Sequence, residues 1–184
     1  LAGLVEERID VALVQSRRRR VALALDSGEA LTVDVFGDQI DANAHITAHS
    51  GQTTAGGESL FGRAEFERYV TTGAVHILMP DVKHAGGITE CRRIAHQAQI
   101  HQVSVAPHSP AGPVSTMAGV QVAATISNFL VLEWAFGEVP WRAELIQPAE
   151  IVEGGFIEVP DGPGLGFELD TDAVAAHAPG ETPS

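Results

Sequence analysis

The sequence predicts an α/β fold with a parallel sheet, and three observations carry that expectation. Short apolar runs alternate with helix-length stretches from about residue 53 onward; four chemistry-bearing residues recur at the ends of those runs; Ala, Val and Gly are abundant while aromatics make up only 5%. Strands alternating with helices of roughly ten to fifteen residues read as βαβ units. At 184 residues the chain is long enough for one ordinary domain with its own core.

Residues 1–50 match this pattern least. Val21–Leu25 and Leu31–Phe36 read as strands and Asp41–His49 as a helix, so the segment is taken as a remnant of earlier units. The better-patterned region spans residues 51–150. Gln52–Glu58 is a short run ending in Gly-Gly-Glu, and the amphipathic stretch Arg63–Thr71 follows it. His76–Pro80 reads as a buried strand ended by Asp81. Gly86 and Gly87 then open a helix reaching to about Gln99, with Ile88, Cys91, Ile94, Ala95 and Ala98 at helical spacing. Val103–Pro107 is the next strand, Val114–Ser127 a small-residue helix, and Phe129–Glu133 a further strand. From 151 to 177 the character changes: Gly154–Asp170 is rich in Gly and Pro, so turns and short strands are expected there. Residues 178–184 read as a frayed tail.

Composition narrows the function classes. Hydrophobic content of 45% with 19% charged residues belongs to a globular chain, not a disordered one. No apolar run reaches the ~20 residues of a membrane helix. Glu6, Glu7, Arg8 and Asp10 interrupt what would be the apolar core of a signal peptide. The net charge of −13 disfavours nucleic-acid binding, and the basic run Arg17–Arg20 has no interleaved aromatics, so it reads as a solvated face. Cys91 is the only cysteine; a reducing cytoplasm fits, and its neighbours make it a helical thiol and not a nucleophile. The chain begins with Leu and is too short for a complete eight-unit barrel of ~250 residues, which points to a fragment or a trimmed chain.

Glu58, Asp81, His108 and Glu133 lie 23, 27 and 25 residues apart, each at the C-terminal end of an apolar run. One strand, one helix and two loops use about that length. Four successive units of a parallel barrel would therefore direct all four into one mouth, where such barrels hold their active sites. Taken singly, a carboxylate after a strand is more often a helix cap or a solvated loop residue. The residue types nevertheless suit one task. Glu58 is a fitting oxygen ligand for Mg²⁺. A histidine with a carboxylate on the adjacent strand, His108 with Asp81, is a natural general base. Proton abstraction next to a carboxylate leaves an enediolate that needs a metal and hydrogen-bond donors, one of which Glu133 would supply if protonated. The remaining histidines (His45, His49, His76, His84, His96, His101, His177) show no metal-ligand spacing.

Four stretches, AGGE at 55–58, MPDVKHAGGITE at 79–90, APHSPAGP at 106–113 and EGGFIEVPDGPGLGFELD at 153–170, resemble the mandelate racemase subgroup of the enolase superfamily, and in particular its acid-sugar dehydratases. The resemblance covers about residues 41–177. It implies the C-terminal half of a (β/α)8 TIM-type barrel, with 151–177 returning towards a capping domain. It further implies a Mg²⁺-dependent hydro-lyase that converts a galactonate-type sugar acid to a 2-keto-3-deoxy acid, working as a cytoplasmic homo-oligomer. By the same resemblance, Glu58 corresponds to the third metal carboxylate. Asp81 and His108 correspond to the Asp–His proton-transfer dyad, Glu133 to the acid that contacts substrate, and His84 to a histidine supporting the site. Gly162, Gly164 and Gly166 match the turn towards the cap.

The sequence also departs from the family. The Glu-Glu-Pro-like motif expected near Thr32 is replaced by Leu31–Gly37, LTVDVFG, in which Asp34 is the nearest carboxylate available to the metal. The third-strand ligand, its accompanying histidine and the N-terminal capping domain have no counterpart. Two other readings stay open: a racemase or epimerase of the same superfamily, which begins with the same proton abstraction, and a catalytically incomplete piece of such an enzyme.

Overall fold

A computed structural model describes residues 20–24, 31–32, 39–135, 137 and 139–178. The strands are β1 (Arg20–Ala24), β2 (Leu31–Thr32), β3 (Thr54–Gly56), β4 (Ile77–Leu78), β5 (Ser104–Val105), β6 (Leu132–Glu133), β7 (Ile146–Gln147), β8 (Val152–Glu153), β9 (Phe156–Glu158) and β10 (Glu168–Leu169). The helices are α1 (Ile40–His49), α2 (Gly62–Thr72), α3 (Ile88–Ile100), α4 (Pro113–Ala123) and α5 (Thr171–Ala176), with a 3₁₀ turn at Arg142–Glu144.

β2, β3, β4 and β5 pair in that order, all parallel. The ladder continues through a parallel bridge from Val105 to Phe129 at the head of the β6 segment, and β6 pairs in parallel with β1. The result is an arc of six parallel strands, an incomplete TIM-type barrel, with α1 to α4 packed in sequence along its outside. β1 and β2, separated by only residues 25–30, stand at opposite ends of the arc. On its far side β1 pairs antiparallel with β9, and β9 with β8, so a hairpin from the tail covers that edge.

The helices form where burial periodicity demands them. α2 buries Phe66, Tyr69 and Val70 and ends at Gly73, whose φ of 66° is the left-handed cap that glycine favours. α3 buries Cys91, Ile94, Ala95 and Ala98, while Ile88, in phase with them in sequence, lies exposed on the first turn. α4 begins with Pro113 at a first-turn position that needs no N–H donor, and it is buried on most sides. Gly119 explains how closely it docks: a Cβ there would lie 3.2 Å from the Leu132 side chain of β6.

One core, from Ile40 through Leu60, Phe66, Leu78, Ile94 and Val105, lies between helices and arc. A second joins Val21, Met117, Val120, Leu132, Ile146 and Ile157, so the first and last parts of the chain share it. The tail forms the expected turns and short strands, with Gly164 and Gly166 in the left-handed region, whereas Gly162 is not. It also forms α5, which the composition did not announce; Asp170 caps it by accepting from the N–H groups of Asp172 and Ala173. No helix among the described residues is long and apolar enough to cross a membrane. Residues 179–184, most of the Arg17–Arg20 run, and Asp34 lie outside the described residues.

Candidate functional site

The register of the arc decides which side chains meet. Gly56 pairs with Leu78 and Leu78 with Val105, so Glu58, Asp81 and His108 follow two or three residues beyond aligned positions. Backbone bonds carry the alignment past the strands: Met79 N–H to Gly56 O (2.9 Å), Ala106 N–H to Leu78 O (2.9 Å), His108 N–H to Pro80 O (3.3 Å) and Glu133 N–H to Pro107 O (3.2 Å). Four neighbouring strand ends thus bring the four residues to the same side of the arc.

Asp81 is fully buried. Its carbonyl accepts from the N–H groups of His84 (3.0 Å) and Ala85 (2.7 Å), and its Oδ1 accepts from the Lys83 N–H at 2.7 Å, a tight turn that fixes the carboxylate plane. Oδ2 lies 2.9 Å from His108 Nδ1 and 3.3 Å from Lys83 Nζ. An ionised carboxylate only accepts, so Nδ1 carries the proton and donates it, leaving Nε2 as the basic nitrogen. Nε2 faces Glu133 Oε2 at 3.7 Å, beyond hydrogen-bond range. That Oε2 is buried and accepts no hydrogen bond among the described residues.

The electrostatics favour a protonatable ring. Burial alone would lower His108, but the Asp81 hydrogen bond and the charges of Glu133, Asp81 and Glu58 outweigh it and hold the ring above its ordinary value of 6.5. Burial would raise Asp81; the hydrogen bond from His108 and the backbone bond, charge and side chain of Lys83 instead hold it below 3.8. Cys91 behaves oppositely. Burial, with the charges of Asp81 and Glu90, pushes its thiol up to about 12, so it is not a nucleophile at neutral pH.

Glu58 is half-buried at the mouth, on the loop after β3. Gly57 before it takes φ 106°, and a Cβ there would lie 3.2 Å from the Phe66 ring, which accounts for the second glycine of AGGE. His84 is exposed; its Nδ1 lies 3.2 Å from the Glu58 carbonyl, so it tethers the Glu58 loop to the loop after β4 and does not reach into the dyad through that contact. Among the described residues, no three His, Cys, Asp or Glu side chains assemble into a group that would hold a metal ion. The described donors therefore do not by themselves fit Mg²⁺: Glu58 supplies one carboxylate where several oxygens are needed.

Two residues absent from the sequence-based site support it. Lys83 reaches Asp81, for which the only sequence signal is a cation two positions after it. Arg142 is buried and ties the His108 loop to the tail. It donates to Ala111 O (2.6 Å), to Thr116 Oγ1 (2.8 Å), and to both Glu150 carboxylate oxygens (2.7 and 3.0 Å).

Comparison with known proteins agrees with this fold. Residues 11–173 match the family described as enolase C-terminal domain-like. The chain is 36% identical to D-xylonate dehydratase of Haloferax volcanii over 143 residues, covering 77% of this chain and 35% of that protein. It is 38% identical to D-galactonate dehydratase of Ralstonia pickettii over 146 residues, covering 76% and 38% respectively. It therefore spans little more than a third of the length of these relatives. The crystal structure of mandelate racemase/muconate lactonizing enzyme from Sulfitobacter sp. superposes with a TM-score of 0.75 at 35% identity, over 80% of this chain and 37% of that one. A structure from Burkholderia xenovorans strain LB400 holding magnesium and fumarate superposes with a TM-score of 0.75 at 28% identity, over 81% and 36%.

Proposed function

Because the chain belongs to the enolase C-terminal domain-like family, we propose that its site performs the proton transfer of an acid-sugar dehydratase. The observation that supports this most is the 2.9 Å contact from His108 Nδ1 to buried Asp81, which leaves Nε2 as the free base beside Glu133. His108 Nε2 takes the proton from the carbon next to the carboxylate of a sugar acid, and the electron pair moves into an enediolate. The hydroxyl on the next carbon then leaves with a proton as water, and the resulting enol becomes a 2-keto-3-deoxy acid. Asp81 orients the ring and stabilises the imidazolium. Glu133, whose Oε2 lies 3.7 Å from Nε2, contacts the substrate from the same side of the arc, and His84 holds the Glu58 loop in place.

If Mg²⁺ were bound, Glu58 and, outside the described residues, Asp34 would be the carboxylates to hold it, and it would supply positive charge for the developing oxyanion. The proton transfer itself rests on the protein side chains. The reading includes a small-molecule sugar-acid partner of galactonate or xylonate type, and a homo-oligomer in the cytoplasm.

Incubation with galactonate and xylonate in deuterated solvent with Mg²⁺ tests this. Deuterium at the carbon next to the carboxylate, or a 2-keto-3-deoxy product, supports it; neither with any sugar acid refutes it. That no metal-holding group assembles among the described residues favours a second reading, a catalytically incomplete piece of such an enzyme. Calorimetric titration with Mg²⁺ separates the two, since micromolar binding requires a full set of ligands. A racemase or epimerase would exchange the same proton but return it without loss of water.

A further inference from the structure

Oδ2 of Asp81 is approached by two nitrogen donors: the His108 ring at 2.9 Å and the Lys83 ammonium at 3.3 Å. A carboxylate oxygen has two lone pairs, so both donors can be satisfied at once. Lys83 is held for this by its own backbone, whose N–H binds Oδ1 of the same carboxylate at 2.7 Å. Asp81 is therefore gripped on one oxygen by backbone and on the other by a side chain from the same residue. The Asp81 side chain is 0% exposed and that of Lys83 41%, so the ammonium sits as a lid between the buried carboxylate and solvent.

We propose that Lys83 is a positioning residue for His108: it locks the Asp81 carboxylate towards Nδ1 and offsets the negative charge that the ring would otherwise feel. A carboxylate dyad without such a counter-charge makes the histidine a stronger base that stays protonated to higher pH. With Lys83 present, the ring faces a near-neutral Asp81–Lys83 pair, and the other acidic groups acting on it are Glu133, at 3.7 Å from Nε2, and Glu58 on the loop after β3. By the two distances to Oδ2, the ammonium lies within about 6 Å of Nδ1. A unit charge at that range in half-exposed surroundings moves a titration by about half to one pH unit. The effect on the ring holds whatever the reaction; its consequence for catalysis rests on the proton-transfer reading above, in which it keeps Nε2 free to accept at neutral pH.

Titration of the histidine ring resonances of the intact chain by NMR reads this directly, with the His108 signal assigned through His108→Gln. Lys83→Met should raise the His108 midpoint by about half to one pH unit, and Lys83→Arg should stay within about 0.2 of the unsubstituted protein. In an Asp81→Asn background, Lys83→Met should move it less, because the negative charge that holds the ammonium beside the ring is gone. An unchanged or lowered midpoint in Lys83→Met, or an equal shift in Lys83→Arg, overturns the role. If solvent exchange of a sugar acid is observed, the acid limb of its pH profile should move up with the NMR midpoint in Lys83→Met. An NMR shift without any exchange would refute the dehydratase reading alone, and exchange without an NMR shift would refute the Lys83 role alone.

Discussion

Replacing Arg142 by alanine removes a guanidinium that makes four hydrogen bonds from a side chain only 10% exposed: two to Glu150, one to the Ala111 carbonyl and one to Thr116. The dominant cost is not the lost bonds themselves. Glu150, 7% exposed, is left as a buried carboxylate without its counter-charge. Breaking one side of a buried pair costs about 3–5 kcal/mol, and the residual exposure here places Arg142→Ala near the lower end. With a urea dependence of about 2 kcal/mol per molar, the unfolding midpoint should fall by about 1.5 M. The double variant Arg142→Met with Glu150→Leu exchanges the pair for apolar side chains, and should recover most of the loss because neither charge is stranded. Urea unfolding followed by circular dichroism on Arg142→Ala, and on Arg142→Met, Glu150→Leu and their double, completes the cycle. A single-variant loss below about 1 kcal/mol, or a double variant as costly as the sum of the singles, would refute the argument that the stranded charge dominates.

Three further outcomes follow from the same contacts. Gly57→Ala should cost about 1–3 kcal/mol, because the residue must hold φ 106° and its Cβ meets the Phe66 ring at 3.2 Å; thermal unfolding measures it. The dyad ties stability to pH with opposite signs. His108 is held above 6.5, so its contribution is complete below that value and disappears as pH rises through the raised midpoint. Asp81 is held below 3.8, so its contribution is present above that value and is lost as pH falls through the lowered one. The stability gap between the protein and Asp81→Asn should accordingly be widest between about pH 4 and 6.5 and narrow on either side, as denaturant titrations across pH would record. Cys91, buried and with its thiol pushed up to about 12, should resist an aromatic disulfide reagent at pH 8 until denaturant is added, an absorbance measurement.

The helices were legible because their signal is local. Phe66, Tyr69 and Val70, or Cys91, Ile94, Ala95 and Ala98, declare one face within a few turns. The convergence of Glu58, Asp81, His108 and Glu133 was legible for a related reason, since parallel units of near-constant length repeat the same register. Lys83 was not, because nothing in the order of residues says that a side chain will turn back onto the carboxylate two positions earlier. Arg142 was hidden differently: its partners at 111, 116 and 150 lie on separate segments that only the folded chain joins. α5 had a signal, Asp170 ahead of Thr171–Ala176, but it was masked by the Gly- and Pro-rich run before it. The first fifty residues yielded least, since the place of β1 depends on strands more than a hundred positions away.

That place has a kinetic meaning. β3, β4 and β5 each find a partner about one helix-and-strand unit along the chain, whereas Leu23 must meet Leu132 and Val21 must meet Ile157. Closing so long a loop costs entropy before any contact repays it, and such non-local pairings slow folding. The middle of the arc is thus the part able to assemble early and progressively. During synthesis β1 emerges ahead of the other described strands, while its described partners β6 and β9 follow more than a hundred residues later. A strand made so long before its partners is a point at which a neighbouring chain can intrude.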